Sequence, residues 1–181
     1  MPNARKQPSD TTPTAAPAKA RRSPAPRAPD AFALLKADHA EVKQCFKEYE
    51  KLAKAQASDA DRRELAERIC TLLTVHATVE EEIFYPAARD VIDEAALVDE
   101  ADVEHASAKE LIAQIESMAP ADDHFDARVK VLGEYIDHHV KEEQDELFPR
   151  LKKAGLDAAG VGEQLRARKE ELMAEYDAVS A

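Results

Sequence analysis

A chain of 181 residues with a formal net charge of −12 is long enough for one domain with a hydrophobic core. Ala, Glu, Lys, Leu and Arg dominate, Gly is scarce and Trp is absent, which is typical of long helices and excludes a sheet-based fold. Residues 1–30 carry six Lys and Arg against two Asp, whereas the remainder carries 19 against 35 Asp and Glu. The acidic body argues against nucleic-acid or anionic-membrane binding by the folded part.

The two cysteines and the hydropathy pattern restrict the location of the protein. Cys45 and Cys70 are too few for a disulfide framework, and both lie in helical patterns, so we expect buried, reduced thiols. No apolar run approaches the roughly 20 residues of a membrane span, and the N-terminus lacks the apolar core of a signal peptide. We therefore expect a cytoplasmic protein without a membrane partner.

The N-terminal 29 residues differ in composition from the rest of the chain. They hold seven of the ten prolines and a basic run at 19–22. Such a segment cannot bury enough apolar area to offset its ordering entropy, so we predict that it is disordered. It serves either as a solubilising leader or as a weak tether to nucleic acid or another polyanion.

Apolar residues recur at helical spacing in two long segments after this tail. The first helix is predicted from about 31 to 55, with Asp30 as its N-cap and His39 in the middle of its apolar stripe. The second helix is predicted to run to about residue 89, and its stripe contains His76 and Glu80. Polar residues therefore occupy core positions in both helices.

Two further helices follow, and polar residues again interrupt the apolar stripe of each. The third is predicted from about 94 to 118 and has His105 in its stripe. The fourth is predicted from about 123 to 152 and has His139 and Glu143 in its stripe. The four helices thus share one unusual feature.

Glycines separate a last helix from these four segments. Gly155, Gly160 and Gly162 break the helical pattern, and a helix is predicted over about 163–179. The sequence leaves open whether this helix lies along the others or pairs with another chain. The oligomeric state is therefore left open as well.

These elements predict an all-α fold. Four amphipathic helices with short connections favour an up-down-up-down antiparallel four-helix bundle, here with a disordered N-terminal tail and an extra C-terminal helix. The predicted division is a basic, Pro- and Ala-rich tail over 1–29, the bundle over 30–154, and the C-terminal helix over 155–181.

An internal repeat links the second and fourth helices. The segments HATVEEEIFYP (76–86) and HVKEEQDELFP (139–149) each begin with His, place Glu four residues later and end on an aromatic residue followed by Pro. Residues i and i+4 share one helix face, so each segment presents an imidazole beside a carboxylate. Two such copies indicate a pseudo-symmetric metal site. Pro86 should also kink or terminate the second helix near its last turn.

The polar residues in the four apolar stripes are expected to meet inside the bundle. Burying ionised carboxylates without a partner is costly, and no Lys or Arg shares these stripes apart from the nearby Lys109. A bound cation is the simplest partner, and without a thiolate the set suits iron, manganese or zinc rather than a structural zinc–Cys site. The candidate metal ligands are His39, His76, Glu80, His105, His139 and Glu143.

Four segments together resemble a known family. LLKADH (34–39), HATVEEEIFYP (76–86), VEH (103–105) and HVKEEQDELFP (139–149) are similar to the hemerythrin HHE cation-binding family, over about residues 31–152. The resemblance implies a four-helix bundle that holds a non-haem di-iron centre. It also implies terminal His ligands and bridging carboxylates, respectively His39, His76, His105 and His139, and Glu80 and Glu143.

Two positions depart from the oxygen-carrying members of that family, which place their last carboxylate, an Asp, five residues after its His, where this chain has Glu143 four residues after His139. Those members also have a second His one turn after the third-helix His, where this chain has Lys109, so the resemblance implies one imidazole fewer and an open position or a water. Lys109 is expected to extend outwards or to bond to residues around the centre. The other acidic and His side chains near the motifs are predicted to be solvated, namely Glu81, Glu82, Glu142, Glu146, His124 and His138.

Three functions are compatible with these residues. The first is a non-haem iron protein that binds or senses O2, NO or peroxide, or that handles iron. The second is a peroxide- or NO-scavenging redox enzyme, although no general base, nucleophile or substrate pocket is recognisable beyond the metal. The third is a regulatory or interaction protein whose metal stabilises the bundle while the tail or the last helix binds a partner.

Overall fold

The computed structural model describes residues 28–93 and 96–179, and every regular element in these ranges is helical. This confirms the predicted all-α class. The predicted tail, apart from its last two residues, lies outside the described residues, as do 94–95 of the third predicted helix and 180–181 of the C-terminal segment. The helices are α1 (Ala31–Lys54), α2 (Asp59–Val79), α3 (Tyr85–Arg89), α4 (Ala96–Glu116), α5 (Phe125–Glu142), α6 (Phe148–Ala154) and α7 (Ala158–Val179).

Side chains cap the first two helices where the sequence changes from Pro- and Ser-containing segments to helix formers. The Asp30 carboxylate accepts a hydrogen bond of 2.9 Å from the Ala33 amide, and the Ser58 hydroxyl accepts one of 3.1 Å from the Asp61 amide. Each bond satisfies an amide that has no partner inside its helix. The predicted N-cap at Asp30 is confirmed.

A π-helical turn joins α2 to α3, and a second one joins α5 to α6. These turns span Glu80–Phe84 and Glu143–Leu147, so each begins at the carboxylate of the sequence repeat. The wider turn lets the chain continue through Pro86 and Pro149, because it relieves the clash that proline makes with the preceding α-helical turn. Pro86 therefore does not end the helix, which continues to Arg89.

Contacts between side chains show how neighbouring helices are directed. Lys43 pairs with Asp137 at 2.8 Å, and Tyr49 donates to Asp126 at 2.7 Å, so α1 and α5 run antiparallel. The same reasoning applies to α4 and α5, where Arg128 donates to Gln114 at 3.0 Å near one end and His105 meets His139 near the other.

The buried apolar residues form two separate clusters. One contains the three phenylalanines Phe32, Phe84 and Phe148, whose rings pack edge to face with centres 5.1–6.1 Å apart. The other contains Ile69, Phe125 and residues near them on α1, α4 and α5. Between the two clusters lies a layer of buried polar side chains. Apolar packing on both sides therefore fixes the depth of that layer.

Helix α7 lies along the other helices, in contact with α1, α2 and the first π-helical turn. It begins at Ala158, so the prediction that Gly160 and Gly162 break the helix is wrong. A Cβ on Gly162 would lie 2.6 Å from the Ala31 nitrogen, so this glycine allows α7 to cross the start of α1 at close range. None of the helices in the described ranges is both long and apolar enough to cross a bilayer.

Candidate metal centre

The six candidate ligands lie together in the polar layer between the two apolar clusters. None of them is more than 8% exposed. Four helical segments contribute these side chains, namely α1, the α2 end with its π-helical turn, α4, and the α5 end with its turn. The structure thus brings together all of the residues in question, which are His39, His76, Glu80, His105, His139 and Glu143.

His39, His76 and Glu80 form a first cluster of potential ligand atoms. His39 Nε2 lies 3.0 Å from His76 Nε2, and His76 Nε2 lies 3.2 Å from Glu80 Oε2. Glu143 joins this side of the centre, since its Oε2 lies 3.3 Å from His39 Nε2. Two imidazoles and two carboxylates therefore converge on a small volume.

Glu80, His105 and His139 form a second cluster. His105 Nε2 lies 3.4 Å from Glu80 Oε2 and 3.2 Å from His139 Nε2. The same Glu80 oxygen therefore faces both clusters. A carboxylate in this position is suited to link two cations, as carboxylates do in binuclear sites within helical bundles.

The two histidines of the second cluster turn their Nδ1 atoms to carboxylates and their Nε2 atoms to each other. His105 Nδ1 donates to Glu81 Oε1 at 3.1 Å, and His139 Nδ1 donates to Glu104 Oε2 at 2.7 Å. A neutral imidazole with its proton on Nδ1 presents a lone pair at Nε2. Whenever both rings are neutral, two lone pairs face each other across 3.2 Å, an arrangement that a cation between them would make favourable.

Three of the four carboxylate oxygens of the centre lack a donor. Among the described residues, Oε1 of Glu80 and both oxygens of Glu143 are buried without a hydrogen-bond partner. A buried acceptor without a donor costs free energy, and buried charges are ordinarily paired or bound to a metal. The residues present therefore fit a cation with nitrogen and oxygen ligands.

The Nδ1 atom of each histidine in the centre faces a residue on another helix, and that residue directly precedes or follows a candidate ligand in the sequence. Asp38, next to His39, has its Oδ2 3.6 Å from Nδ1 of His76. Gln144, next to Glu143, has its amide nitrogen 2.8 Å from Nδ1 of His39. Together with the partners of the second cluster these residues form an outer ring, which consists of Asp38, Glu81, Glu104 and Gln144.

The sequence did not identify the outer ring, and for one member the prediction is wrong. Glu81 was expected to be solvated, but it is half-buried and accepts hydrogen bonds from His105 and from Lys109. Its position beside Glu80 was the available signal. That signal is weak on its own, because the rotation of one helix against the next decides whether such a neighbour reaches a ligand.

Burial shifts the pKa values of the centre in opposite directions for acids and bases. It lowers the pKa of His76, and it lowers that of His105 to about 2, with the nearby His139 ring adding to the effect. Burial, and then the Glu143 carboxylate, raise the pKa of Glu80. Without a cation, burial therefore favours the neutral form of His76, His105 and Glu80, whereas contacts with His39 lower the pKa of Glu143 despite its burial.

Tyr85 is a member of the centre that the sequence analysis did not single out. It is fully buried, and its hydroxyl lies 3.2 Å from His105 Nε2 and 3.5 Å from Glu80 Oε2. Burial and the nearby Glu80 raise its pKa, so the phenol stays protonated and can donate. The two repeat segments differ at this point, because Phe148 occupies the matching position in the second copy.

Three further side chains near the centre have the contacts or exposure that the sequence predicts. Lys109 does both things expected of it, since its ammonium lies 2.5 Å from Glu81 Oε2 and its side chain is 44% exposed. His124 and His138 are exposed, as predicted. Glu142 is partly buried and lies 3.2 Å from His138 Nε2.

A small cavity of about 20 Å³ adjoins the four histidines on the side away from Glu80. Apolar side chains form much of its wall, including Val42, Leu73 and Ile112, and Lys109 lies at its edge. A cavity of this size can hold a water molecule or another species of a few atoms, but no organic substrate.

Comparison with known proteins identifies relatives of this site. The family described as Hemerythrin HHE cation binding domain matches residues 30–151. A protein of Nostoc sp. named DNA nickase is 30% identical over 120 residues, which are 66% of this chain but only 32% of that protein. A crystal structure of a hemerythrin HHE cation binding domain-containing protein from Mycobacterium kansasii superposes with a TM-score of 0.66 at 18% identity, covering 81% of this chain and 88% of that one. At that identity the superposition shows the fold alone.

Proposed function

We propose that this chain, which belongs to the hemerythrin HHE cation-binding domain family, holds a binuclear iron centre that binds a small ligand such as O2, NO or peroxide. The proposed ligands of the two ions are His39, His76, Glu80, His105, His139 and Glu143. One observation supports the proposal above all. Nε2 of His105 and Nε2 of His139 face each other at 3.2 Å, and Oε1 of Glu80 and both oxygens of Glu143 are buried without a hydrogen-bond donor among the described residues.

The choice of iron and of two ions is based on the donor set. Imidazole and carboxylate ligands without thiolates suit iron, and they also suit manganese or zinc. Glu80 belongs to both clusters of potential ligand atoms, and this supports two ions joined by a carboxylate. When bound, iron would supply redox activity and open positions for a small ligand. The antiparallel pairs described above support an up-down-up-down four-helix bundle as the scaffold.

Residues around the centre would select and orient the small ligand. The apolar wall of the 20 Å³ cavity excludes bulk water and organic substrates. Tyr85 has a protonated hydroxyl close to both clusters, so it can donate a hydrogen bond to a bound oxygen atom. Lys109 places a positive charge at the cavity edge, and its ion pair with Glu81 holds it there.

Metal analysis of the purified protein tests the proposal. We expect about two iron ions per chain after anaerobic loading with Fe(II), and visible absorption bands that change on addition of O2, NO or peroxide. His139→Ala should lower the iron content, whereas His124→Ala, a change at an exposed histidine, should leave it unchanged. A chain that binds no iron, manganese or zinc would contradict the proposal.

Turnover distinguishes binding from the enzymatic alternative. Catalytic loss of peroxide or NO that disappears in Glu80→Ala would favour a scavenging enzyme over a sensor or carrier. Stable spectra without turnover would favour ligand binding. If iron binds and no small ligand changes the spectrum, a structural role for the metal in an interaction protein becomes the better proposal.

Nucleic-acid binding is a separate and weaker possibility. It rests on the basic residues of the N-terminal 30 and on the printed name of the Nostoc relative, of which this chain spans about a third. The acidic remainder of the chain disfavours polyanion binding. Removal of residues 1–27 followed by salt-dependent DNA binding assays would decide it, because only tail-mediated binding would be lost.

Two buried free thiols, Cys45 and Cys70, support a reducing compartment such as the cytoplasm as the location of the protein. Burial raises the pKa of Cys70 to about 12, so this thiol stays protonated and unreactive. The cysteines therefore contribute to the core rather than to the centre.

A further inference from the structure

A second group of potential metal ligands lies outside the buried centre, where α4 and α5 meet the solvent. It consists of Glu104, His138 and Glu142, and one potential ligand atom of each lies within 4.8 Å of the others. His138 Nε2 is 3.2 Å from Glu142 Oε1 and 4.0 Å from Glu104 Oε1. One imidazole and two carboxylates are a donor set that binds divalent transition metals.

An exposed His–Glu pair at i and i+4 on a helix is common and contributes little by itself. Glu104 makes this group different, because it also belongs to the outer ring. Its Oε2 accepts a hydrogen bond of 2.7 Å from His139 Nδ1, while its Oε1 faces His138. A single carboxylate therefore connects the surface group with a histidine of the buried centre.

A narrow cleft lies between two members of the surface group, Glu104 and Glu142, and the centre. It has a volume of about 20 Å³, and its polar lining consists of Glu100, Glu104 and Glu142 on the outside and His139 and Glu143 on the inside, while Leu97, Ala101 and Leu147 complete the wall. No Lys or Arg is among the described residues that line it. Carboxylates thus lie at both its outer and its inner end, which favours cations over anions.

The inner end of the cleft reaches Glu143, a candidate ligand of the centre. Glu143 is only 3% exposed, and neither of its carboxylate oxygens has a hydrogen-bond partner among the described residues. A buried carboxylate in this condition is stabilised by a cation. The cavity on the other side of the centre is a poorer route for a cation, because Lys109 lies at its edge and no Asp or Glu is among the described residues that line it.

We propose that Glu104, His138 and Glu142 form an outer binding site for a divalent transition-metal ion, which captures the ion before it passes through the acidic cleft to the buried centre. The capture site rests on its own residues, whereas the route rests on the proposed function of the centre. Glu104 has two roles, since it binds the arriving ion with one oxygen and orients His139 with the other.

A Zn²⁺ titration followed by the ring signals of the histidines in NMR spectra tests the outer site directly. We expect the His138 signals to shift after the centre has been saturated, whereas those of His124, the other exposed histidine, stay in place. Glu142→Gln should raise the Zn²⁺ concentration for half of the shift about tenfold or more, because it removes a charged ligand. Unchanged His138 signals, or an equal midpoint in the variant, would overturn the proposal.

The rate of Co²⁺ uptake by metal-free protein tests the route. We expect Glu142→Gln and His138→Gln to slow uptake about tenfold, within the range of electrostatic steering, at unchanged final stoichiometry. Glu134→Gln is the matched control, because this exposed carboxylate on α5 lies away from the cleft. Equal rates in Glu142→Gln and Glu134→Gln would overturn the route.

The two measurements separate the failure of this inference from the failure of the proposed function. If the wild-type protein takes up no Co²⁺ at the centre, the proposed function and the route both fail. The His138 titration then still decides on the outer site. Glu142→Gln and His138→Gln change partly or fully exposed residues, and circular dichroism before the titration verifies that these variants keep the wild-type helix content.

Discussion

Asp38 illustrates how much a single residue outside the ligand set contributes to the candidate centre. Burial raises the pKa of its carboxyl group, but contacts with His76 and Lys169 outweigh this and lower it, so the carboxylate is charged. Lys169 of α7 lies 2.6 Å from Asp38 Oδ1, while Oδ2 faces His76. At 3.6 Å from Nδ1 of His76 the carboxylate is beyond hydrogen-bond distance, so it favours a proton on that nitrogen through its charge.

Asp38→Asn should therefore weaken metal binding without removing a ligand. We expect the affinity for Co²⁺ or Zn²⁺ to fall about 10- to 100-fold, as is typical when the partner of a metal-bound His is lost. Competition with a chelator measures the change. Asp137→Asn, at an exposed carboxylate of α5, is the control that should keep the wild-type affinity.

Glu80→Gln should change the stability of metal-free and metal-loaded protein in opposite directions. In the metal-free protein the buried carboxyl has a raised pKa and an Oε1 without a partner, so its replacement should increase the free energy of unfolding by about 1–3 kcal/mol. In the loaded protein the variant should be less stable, because it lacks a charged ligand. Urea unfolding with and without Co²⁺ measures both, and a decrease in the metal-free state would refute the assignment.

The helices show which features depend on neighbours that the sequence does not reveal. Polar residues in the apolar stripes are visible in the sequence, because helical spacing alone assigns them to the core, and the six candidate ligands were found in this way. The π-helical turns at Glu80 and Glu143 were missed, since the proline that favours them can equally end a helix. The outer ring was missed because it depends on how one helix is rotated against another.

Gly160 and Gly162 make the same point within one helix. The sequence predicts a break in the helix at both glycines, but α7 contains them. Only the folded chain reveals that a Cβ on Gly162 would meet the backbone of Asp30 and Ala31, 131 or more residues away in the sequence. The Cβ of residue 160 would instead meet the flexible Asp157 side chain, which can move.

Alanine substitutions at these two positions should accordingly have different effects. We expect Gly162→Ala to lower the free energy of unfolding by about 1–3 kcal/mol, because an added methyl group displaces packed backbone. Gly160→Ala should be neutral or stabilising by up to about 1 kcal/mol, through its higher helix propensity. Thermal or urea unfolding measures both values, and equal effects would contradict the close contact between α7 and α1.

At the scale of the whole molecule, the polar layer divides the apolar core into two clusters. This arrangement fixes the depth of the candidate ligands, but it also buries ionisable groups whose protonation changes when the chain unfolds. His76 and His105 have lowered pKa values in the folded protein, and Glu80 has a raised one. The stability of the metal-free protein must therefore depend on pH.

Below about pH 6.5 both histidines take up protons in the unfolded chain, whereas burial opposes their protonation in the folded chain. Folded Glu80 retains a proton that unfolded Glu80 loses above about pH 4.5, and this offsets one of the two. We expect the free energy of unfolding to fall as the pH decreases below about 6.5, by up to about 1.4 kcal/mol per pH unit for each proton that the unfolded state binds in excess. Above this pH the sign reverses, because the unfolded histidines are neutral as well and only folded Glu80 holds an extra proton. Urea unfolding at several pH values checks this, and a flat profile would contradict the assigned shifts.

The adjacency of ligands and outer-ring residues has a consequence for how the chain assembles. If α1 turned by about 100° and moved one residue along its axis, Asp38 or Ala40 would replace His39 in the centre, and His76 would lose the Asp38 carboxylate beside it in the same step. Because each such pair spans two helices, one slip breaks the environment of two histidines at once. Cation binding would therefore favour the native alignment of the helices, since a misaligned bundle would bind the cation more weakly.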